Sequence, residues 1–358
     1  MTFMAYYTSV TKRQAAKKLI YVALSGGVDS AVAAALLVRE GHRVVAVFMR
    51  PWQPPGFACS WQREHEDAAR VAAHCGIPLL DWDFSREYGR KVALPMVRSY
   101  RNGNTPNPDV DCNREIKFGL FAQRAFREGA DAIATGHYAR IVRRDGHLYL
   151  AAARDTNKDQ TYFLWAVPPV VLDRVLFPVG AMTKSQVRAF ARRTGLPVAE
   201  KKDSQGVCFV GDLDVKSFLA SRIRPKRGNI VHRDGRVLGT HDGAAYYTVG
   251  QRHGLDIKDG SGPYYVIARD TRRNIVTVGT EADLSSAAAR IHGARWFGPA
   301  PAAGSRVQVK IRYRSASIPA VVRPRGGLKF SRPARAVASG QSAVVYRGKL
   351  LLGGGILS

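Results

Sequence analysis

Two of the four cysteines stand where a thiol could do chemistry. Cys112 closes the run "TPNPDVDC" behind Pro106, Pro108 and Asp109, and Cys208 lies in "DSQGVCFVGD". Both stretches are rich in Pro, Gly, Asp or Ser, which predicts polar loops. A thiolate is a nucleophile and can carry a second sulfur atom as a persulfide. Two such groups, distant in sequence but facing one site, could pass that sulfur on and close as a disulfide. Cys75, in "AAHCGIP" at the end of an expected helix, reads as a small buried hydrophobe, and Cys59 in "GFACSW" as structural or incidental. No C-x-x-C pair occurs, so a zinc ribbon and a secreted disulfide scaffold are both disfavoured.

A second chemical feature is "SGGVDS", Ser25 to Ser30, between an apolar run and a helical pattern. A Gly-rich turn there lets backbone N–H groups close on a phosphate, with the positive end of the helix behind them. A plain strand-to-helix turn capped by Asp29 or Ser30 is the simpler alternative. The Gly-Lys-Ser/Thr of P-loops is absent, and G-x-G-x-x-G does not fit.

The elements that must position these residues follow from periodicity. "KLIYVALS", "HRVVAVFMR", "LLDWDF" and "DAIATGHY" read as strands. They alternate with helices at "DSAVAAALLVREG", "REHEDAARVAAHCGIP" and "EIKFGLFAQRAFREGA". That alternation predicts an α/β fold with a doubly wound parallel sheet over residues 1–150, of which 1–18 form a basic leader. Residues 151–224 look helical and loop-rich, with a helix in "SQVRAFARRTGLP" starting at its Ser. From 225 to 358 short β-branched runs broken by Asp234-Gly235, Arg347-Gly348 and other turns predict a β-rich region ending in a β-barrel.

The 55 Lys and Arg outweigh 28 Asp and Glu, for a net charge of +27. Between Leu284 and Ser358 thirteen basic residues occur and no acid. A face that tracks a polyanion's phosphates is therefore expected. No run of about 18 apolar residues suggests a membrane span. The leader lacks an apolar segment, so a cytoplasmic protein is expected, with an organellar transit peptide as the alternative.

"SGGVDS" resembles the pyrophosphate loop of the N-type ATP pyrophosphatases, which adenylate a substrate and release pyrophosphate. Taken with "TPNPDVDCNREIKFG", "TGHYAR", "NKDQTYFLW", "GLPVAEKKDSQGVCFVGD", "VGQRHGL" and "ASGQSAVVY", the chain closely resembles the tRNA-specific 2-thiouridylases from about Lys18 to its end. The resemblance implies ATP at Ala23, Leu24, Ser25, Gly26, Gly27, Val28, Asp29, Ser30, Met49 and Gly136. Of these, Gly26, Gly27, Asp29 and Ser30 would hold the pyrophosphate and its Mg2+, and Met49 would meet adenine. It implies a persulfide on Cys208, release completed by Cys112, and proton handling by Asp109, for which an Asx turn after Pro108 is the structural alternative.

The implied substrate is the wobble uridine of tRNA, met by Asn107, Pro108 and Asp109. Further tRNA contacts would come from His137, Lys158, Asp159, Gln160, Arg312, Tyr313 and Gln341. A sulfur donor such as a cysteine desulfurase or a sulfur-relay protein is a second implied partner. Three alternatives stay open: a pyrophosphatase acting on a small molecule, an RNA binder with a degenerate nucleotide fold, and thiolation through an iron-sulfur cluster on Asp109, Cys112 and Cys208. The loop after Trp52, "QPPGFA", departs from the acidic loop usual in the family.

Overall fold

The computed structural model describes residues 16–54, 61–202 and 215–358. Cys59, Cys208 and most of the "QPPGFA" loop lie outside them.

The first layer is a parallel sheet. Strands β1 (Leu19–Ala23), β2 (Arg43–Arg50), β3 (Leu79–Asp83) and β4 (Ala132–Ala134) precede a hairpin of β5 (Ala139–Arg144) and β6 (His147–Ala152), followed by the two-residue β7 (Val175–Leu176). The sheet runs β3-β2-β1-β4-β7, with Val22 of β1 opposite Ala46 on one side and Ala134 on the other. β1 is apolar throughout because both faces are covered, and Ile20 and Val22 are wholly buried. Helices α1 (Val28–Arg39) and α2 (Trp61–Cys75) share one core with β1 and β2, through Ala31, Val32, Ala34, Leu37, Ala68 and Val71. The expected doubly wound sheet is present. Its order reverses at β1, so the Ser25–Ser30 loop opens at the switch point, where ligands of such sheets gather.

The stretch beyond Leu150 is less purely helical than its composition suggests. β7 extends the parallel sheet, whereas β6 stands outside it and pairs with the last strand of the chain, Ala151 opposite Leu350. The helix expected to start at Ser185 spans Lys184–Arg193. Its cap is Thr183, which forms a capping box with Gln186.

Two β units follow. β8 (Gly228–His232), β9 (Val237–His241), β10 (Tyr265–Asp270) and β11 (Ile275–Gly279) form a four-stranded sheet. β12 (Ser285–Trp296), β13 (Arg306–Lys310), β14 (Ile318–Arg323), β15 (Gly327–Arg335), β16 (Ser342–Arg347) and β17 (Leu350–Leu357) form the barrel. β12 closes it: its first half pairs with β15, and its second half pairs with β17, Ile291 opposite Leu357. The barrel coincides with the acid-free stretch, so its exposed arginines and lysines meet no carboxylate of its own strands. No helix among the described residues is long and apolar enough to cross a membrane.

Candidate active site

At the end of β1, Leu24 N–H donates to Val47 O at 2.9 Å, and the chain then turns at Gly26 with φ +72°. A Cβ on Gly26 would stand 2.3 Å from Glu64 O, so only glycine fits here. Ser30 closes the turn: its hydroxyl donates to Gly27 O at 3.0 Å and accepts from Ser25 N–H at 3.2 Å. Gly136 presses on the loop from β4's end, and a Cβ there would lie 2.6 Å from Ser30 N and 2.8 Å from the Asp29 carbonyl carbon. Ala23, Leu24, Gly26, Val28 and Ser30 are buried, Ser25 is exposed, and Gly27 and Asp29 are half-buried. Met49, at the end of β2, is half-buried opposite Trp82.

Two lysines that sequence reasoning missed converge on this loop. Lys184 Nζ donates to both Asp29 oxygens at 2.8 Å, and the Tyr138 hydroxyl donates to Asp29 Oδ1 at 2.7 Å. Lys201 Nζ donates to Gly26 O at 3.1 Å and to Asp67 Oδ2 at 2.6 Å. Burial pushes the Asp67 carboxyl up, but hydrogen bonds from Lys201 and Arg70 outweigh it and hold the group below the usual carboxylate range. The only local signal for Lys184 is weak: a cation in the first turn of a helix opposes the macrodipole and gains from a nearby anion, but nothing local says which anion. Among the described residues no cluster of three His, Cys, Asp or Glu could hold a metal alone. Asp29 could supply one carboxylate to a Mg2+ whose other ligands are phosphate oxygens and water, the usual manner for that ion.

Cys112 lies in a helix, which corrects the expected loop. Pro108 occupies the first helical position, where its fixed φ is suited and its missing N–H costs nothing, and Asn107 precedes it in extended conformation. The helix runs through Pro108–Asp111, widens into π turns over Cys112–Phe121, and continues over Ala122–Arg127. Asp109 and Cys112, three residues apart, therefore share one helix face. Cys112 is fully buried. Cys75 is half-buried at the end of α2 with its thiol pushed up by burial, as suits an inert position.

Contacts link this helix to the Ser25–Ser30 loop. Phe118 packs on the His137 ring at 5.8 Å, and the next residue, Tyr138, reaches Asp29. His137 is buried, its Nδ1 pairs with Thr135 Oγ1 at 2.8 Å, and burial lowers its pKa well below the ordinary value. Tyr138 N–H donates to Gln160 Oε1 at 2.8 Å. Asp159 is buried and accepts from Ala153 N–H and the Thr161 hydroxyl. Lys158 is half-exposed beside them. These residues fix the 158–161 loop against β5 and the barrel, where Tyr346 and Thr161 share a 3.1 Å hydrogen bond.

The segment before Asn107 is clamped from two sides. Thr105 N–H donates to Ser339 O at 2.8 Å, and Gln341 Nε2 donates to Thr105 O at 3.0 Å, both from the barrel. From the four-stranded sheet, Arg269 donates to Thr105 Oγ1 at 2.8 Å and to the carbonyls of Gly103, Ala245 and Tyr247. Burial lowers the Arg269 pKa to about 10. Arg312 is similarly engaged, with Nη2 donating to Val249 O and Ala336 O. Tyr313 lies just past the end of β13 in a turn rather than in a strand, with Phe163 4.4 Å away ring to ring. Asn113 Nδ2 donates to Phe163 O at 3.2 Å, which brings this aromatic pair next to the Cys112 helix.

The chain matches three family profiles. One is described as a tRNA methyl transferase HUP domain over residues 18–212. A tRNA methyl transferase PRC-barrel domain matches over 216–280, and an aminomethyltransferase beta-barrel domain over 286–357. It is 42% identical over 348 residues to a tRNA-specific 2-thiouridylase of Geobacillus kaustophilus, covering 94% of each chain. It is 43% identical over 356 residues to another from Halorhodospira halophila, covering 95% of this chain and 93% of the relative.

Proposed function

Since the chain belongs to the family of the tRNA-specific 2-thiouridylases, we propose that it performs ATP-dependent 2-thiolation of the wobble uridine of tRNA. The observation that carries this reading is the junction of two chemistries. An Asp29 loop stripped of side chains at Gly26 and Gly136 is joined, through Tyr138, His137 and Phe118, to the helix that bears Asp109 and Cys112.

The first step is activation. Backbone N–H groups of the Ser25–Ser30 loop, the start of α1 and the Lys184 ammonium would hold the triphosphate, with Asp29 on the accompanying Mg2+. The C2 oxygen of uracil attacks the α phosphate, the α–β bond breaks, and pyrophosphate leaves. Adenylation turns that oxygen into a leaving group. In the second step the outer sulfur of a Cys208 persulfide bonds to C2, and the C2–O bond breaks to release AMP. The Cys112 thiolate then attacks the Cys208 sulfur, forming a Cys112–Cys208 disulfide and freeing the thiolated base. A reductant and a sulfur donor of the cysteine-desulfurase or sulfur-relay kind restore the persulfide. Asp109, on the same helix face as Cys112, would take up the proton.

The barrel and the four-stranded sheet would bind the tRNA. Phosphate contacts from the acid-free barrel position the RNA without reading it. Tyr313 and Phe163 offer ring faces on which an unstacked base can lie. Asn107 to Asp109 meet the target base, with His137, Lys158 to Gln160, Arg312 and Gln341 behind them. The buried bonds of His137, Asp159 and Arg312 make these three holders of the surrounding loops as much as RNA contacts. The test is the product of ATP use: unmodified tRNA should elicit AMP and pyrophosphate in equal amounts, and formation of ADP would contradict the reading.

A further inference from the structure

The helix that carries Cys112 has a second polar face. Val110 and Asp111 share one side of the Pro108–Asp111 turn, while Asp109 and Cys112 lie on the other; Asn107 just before that turn and Arg114 in the π turns beyond it join Val110 and Asp111 at one surface. Those four residues line a cleft of about 260 Å³. Its far wall belongs to the barrel, with His292 of β12, Ser339, Gly340, Ser342 and Ile356. Ser99 and Asn104 close the third side.

The cleft is built rather than accidental. Its walls are pinned to each other by Ser339 Oγ donating to Asn104 Oδ1 at 2.7 Å and by the Thr105 N–H to Ser339 O bond. A Cβ on Gly340 would come within 2.8 Å of Asn104 Cβ, so the barrel loop can approach this closely only as glycine. Arg114 lies between two carboxylates, 2.8 Å from Asp111 and 2.8 Å from Glu115, and Lys91 Nζ binds Glu115 at 2.6 Å. Burial pushes the Asp111 carboxyl up despite this arginine.

This chemistry selects a class of ligand. A phosphate would meet the Asp111 carboxylate and is disfavoured. A neutral group with donors and acceptors side by side suits Asp111, Arg114 and the amides of Asn104 and Asn107, with Val110 and Ile356 as an apolar floor. Nucleobase edges have that pattern. The volume lies below the roughly 300 to 1,000 Å³ of sites for drug-sized ligands, so one base fits better than a whole nucleotide. Asn107 belongs both to this cleft and to the turn assigned to the target base.

Building on the thiolation reading, we propose that the cleft receives the base adjacent to the target uridine in the anticodon loop, with Asp111 and Arg114 reading its edge. Specificity for the anticodon would then be set on one helix: the target on the Cys112 face and its neighbour on the Asp111 face.

The experiment uses the full chain and unmodified tRNA in which the nucleotide on either side of the target is replaced, one at a time, by an abasic ribose. For one of these two RNAs, kcat/KM for thiolation by the wild type should fall about 5- to 150-fold, the range for losing a well-made base contact. In Asp111→Asn the intact tRNA should already show such a loss, and the abasic site should add less than twofold. His292→Ala, at an exposed position on the opposite wall, gives the same cycle should Asp111→Asn fail to fold. Losses that multiply, or a wild type indifferent to both abasic sites, would overturn the proposal. So would an Asp111→Asn defect that tracks the concentration of sulfur donor instead of the RNA. A wild type that makes no 2-thiouridine on intact tRNA would instead overturn the thiolation reading beneath it.

Discussion

Gly136→Ala tests the geometry of the Ser25–Ser30 loop with a single methyl group. The added Cβ would stand 2.6 Å from Ser30 N and 2.8 Å from the Asp29 carbonyl carbon, and both are backbone atoms that no rotamer change can move aside. Restoring an ordinary contact of about 3.4 Å requires the loop or Gly136 to retreat by roughly 0.8 Å. Overpacking of this kind costs about 1 to 3 kcal/mol of stability, which a domain of this size tolerates. The functional cost should be larger, because a misplacement of about 1 Å can lower a rate roughly 100-fold. The assay is tRNA-dependent pyrophosphate release at varied ATP, with Gly239→Ala as a control, since nothing lies within 4 Å of a Cβ there. Gly136→Ala should lose about 100-fold in kcat/KM for ATP while the control stays within twofold. Wild-type kinetics in a folded Gly136→Ala protein would refute the close approach as a requirement of the site.

Three other perturbations follow from the same contacts. Lys184→Met removes the cation that grips Asp29 and should lower kcat/KM for ATP by at least roughly 100-fold in pyrophosphate release, the scale for losing one charge-stabilising donor. Arg269→Met leaves the carbonyls of Gly103, Ala245 and Tyr247 without their donor. It should cost about 1 to 3 kcal/mol in a urea titration, and thiolation should suffer more than ATP binding. His137 is buried with a depressed pKa, so the unfolded chain takes up a proton near pH 6.5 that the folded chain refuses. Its contribution to stability is thus complete above pH 6.5 and lost as pH falls below it, by up to about 1.4 kcal/mol per pH unit; His137→Gln should flatten the urea midpoint between pH 6.5 and 5.5.

The parallel sheet, the switch-point loop and the barrel were legible because each has a strong local signature: β1 is apolar on both faces, Gly26 and Gly27 follow it, and turn residues punctuate the C-terminal strands. The setting of Cys112 was misjudged because Pro106 and Pro108 mark both a loop and a helix entry, and only the chain that follows decides between them. Lys184 and Lys201 were not identified, since their partners Asp29, Gly26 and Asp67 lie more than 130 positions away. Arg269 carried no signal at all: its role depends on four acceptors brought together by packing of the four-stranded sheet on the first domain. The barrel's long-range closure by β12, and its capture of β6, likewise have no local pattern to read.

In the proposed reaction ATP activates a uridine which two cysteines then thiolate. It is tested most directly by incubating wild type, Cys112→Ser and Cys208→Ser with ATP, Mg2+, a cysteine desulfurase, cysteine and unmodified tRNA, then quantifying 2-thiouridine in the digested RNA alongside pyrophosphate. 2-Thiouridine should come from the wild type alone, with pyrophosphate release persisting in both serine variants. No thiolated base from the wild type, or equal amounts from all three proteins, would contradict it.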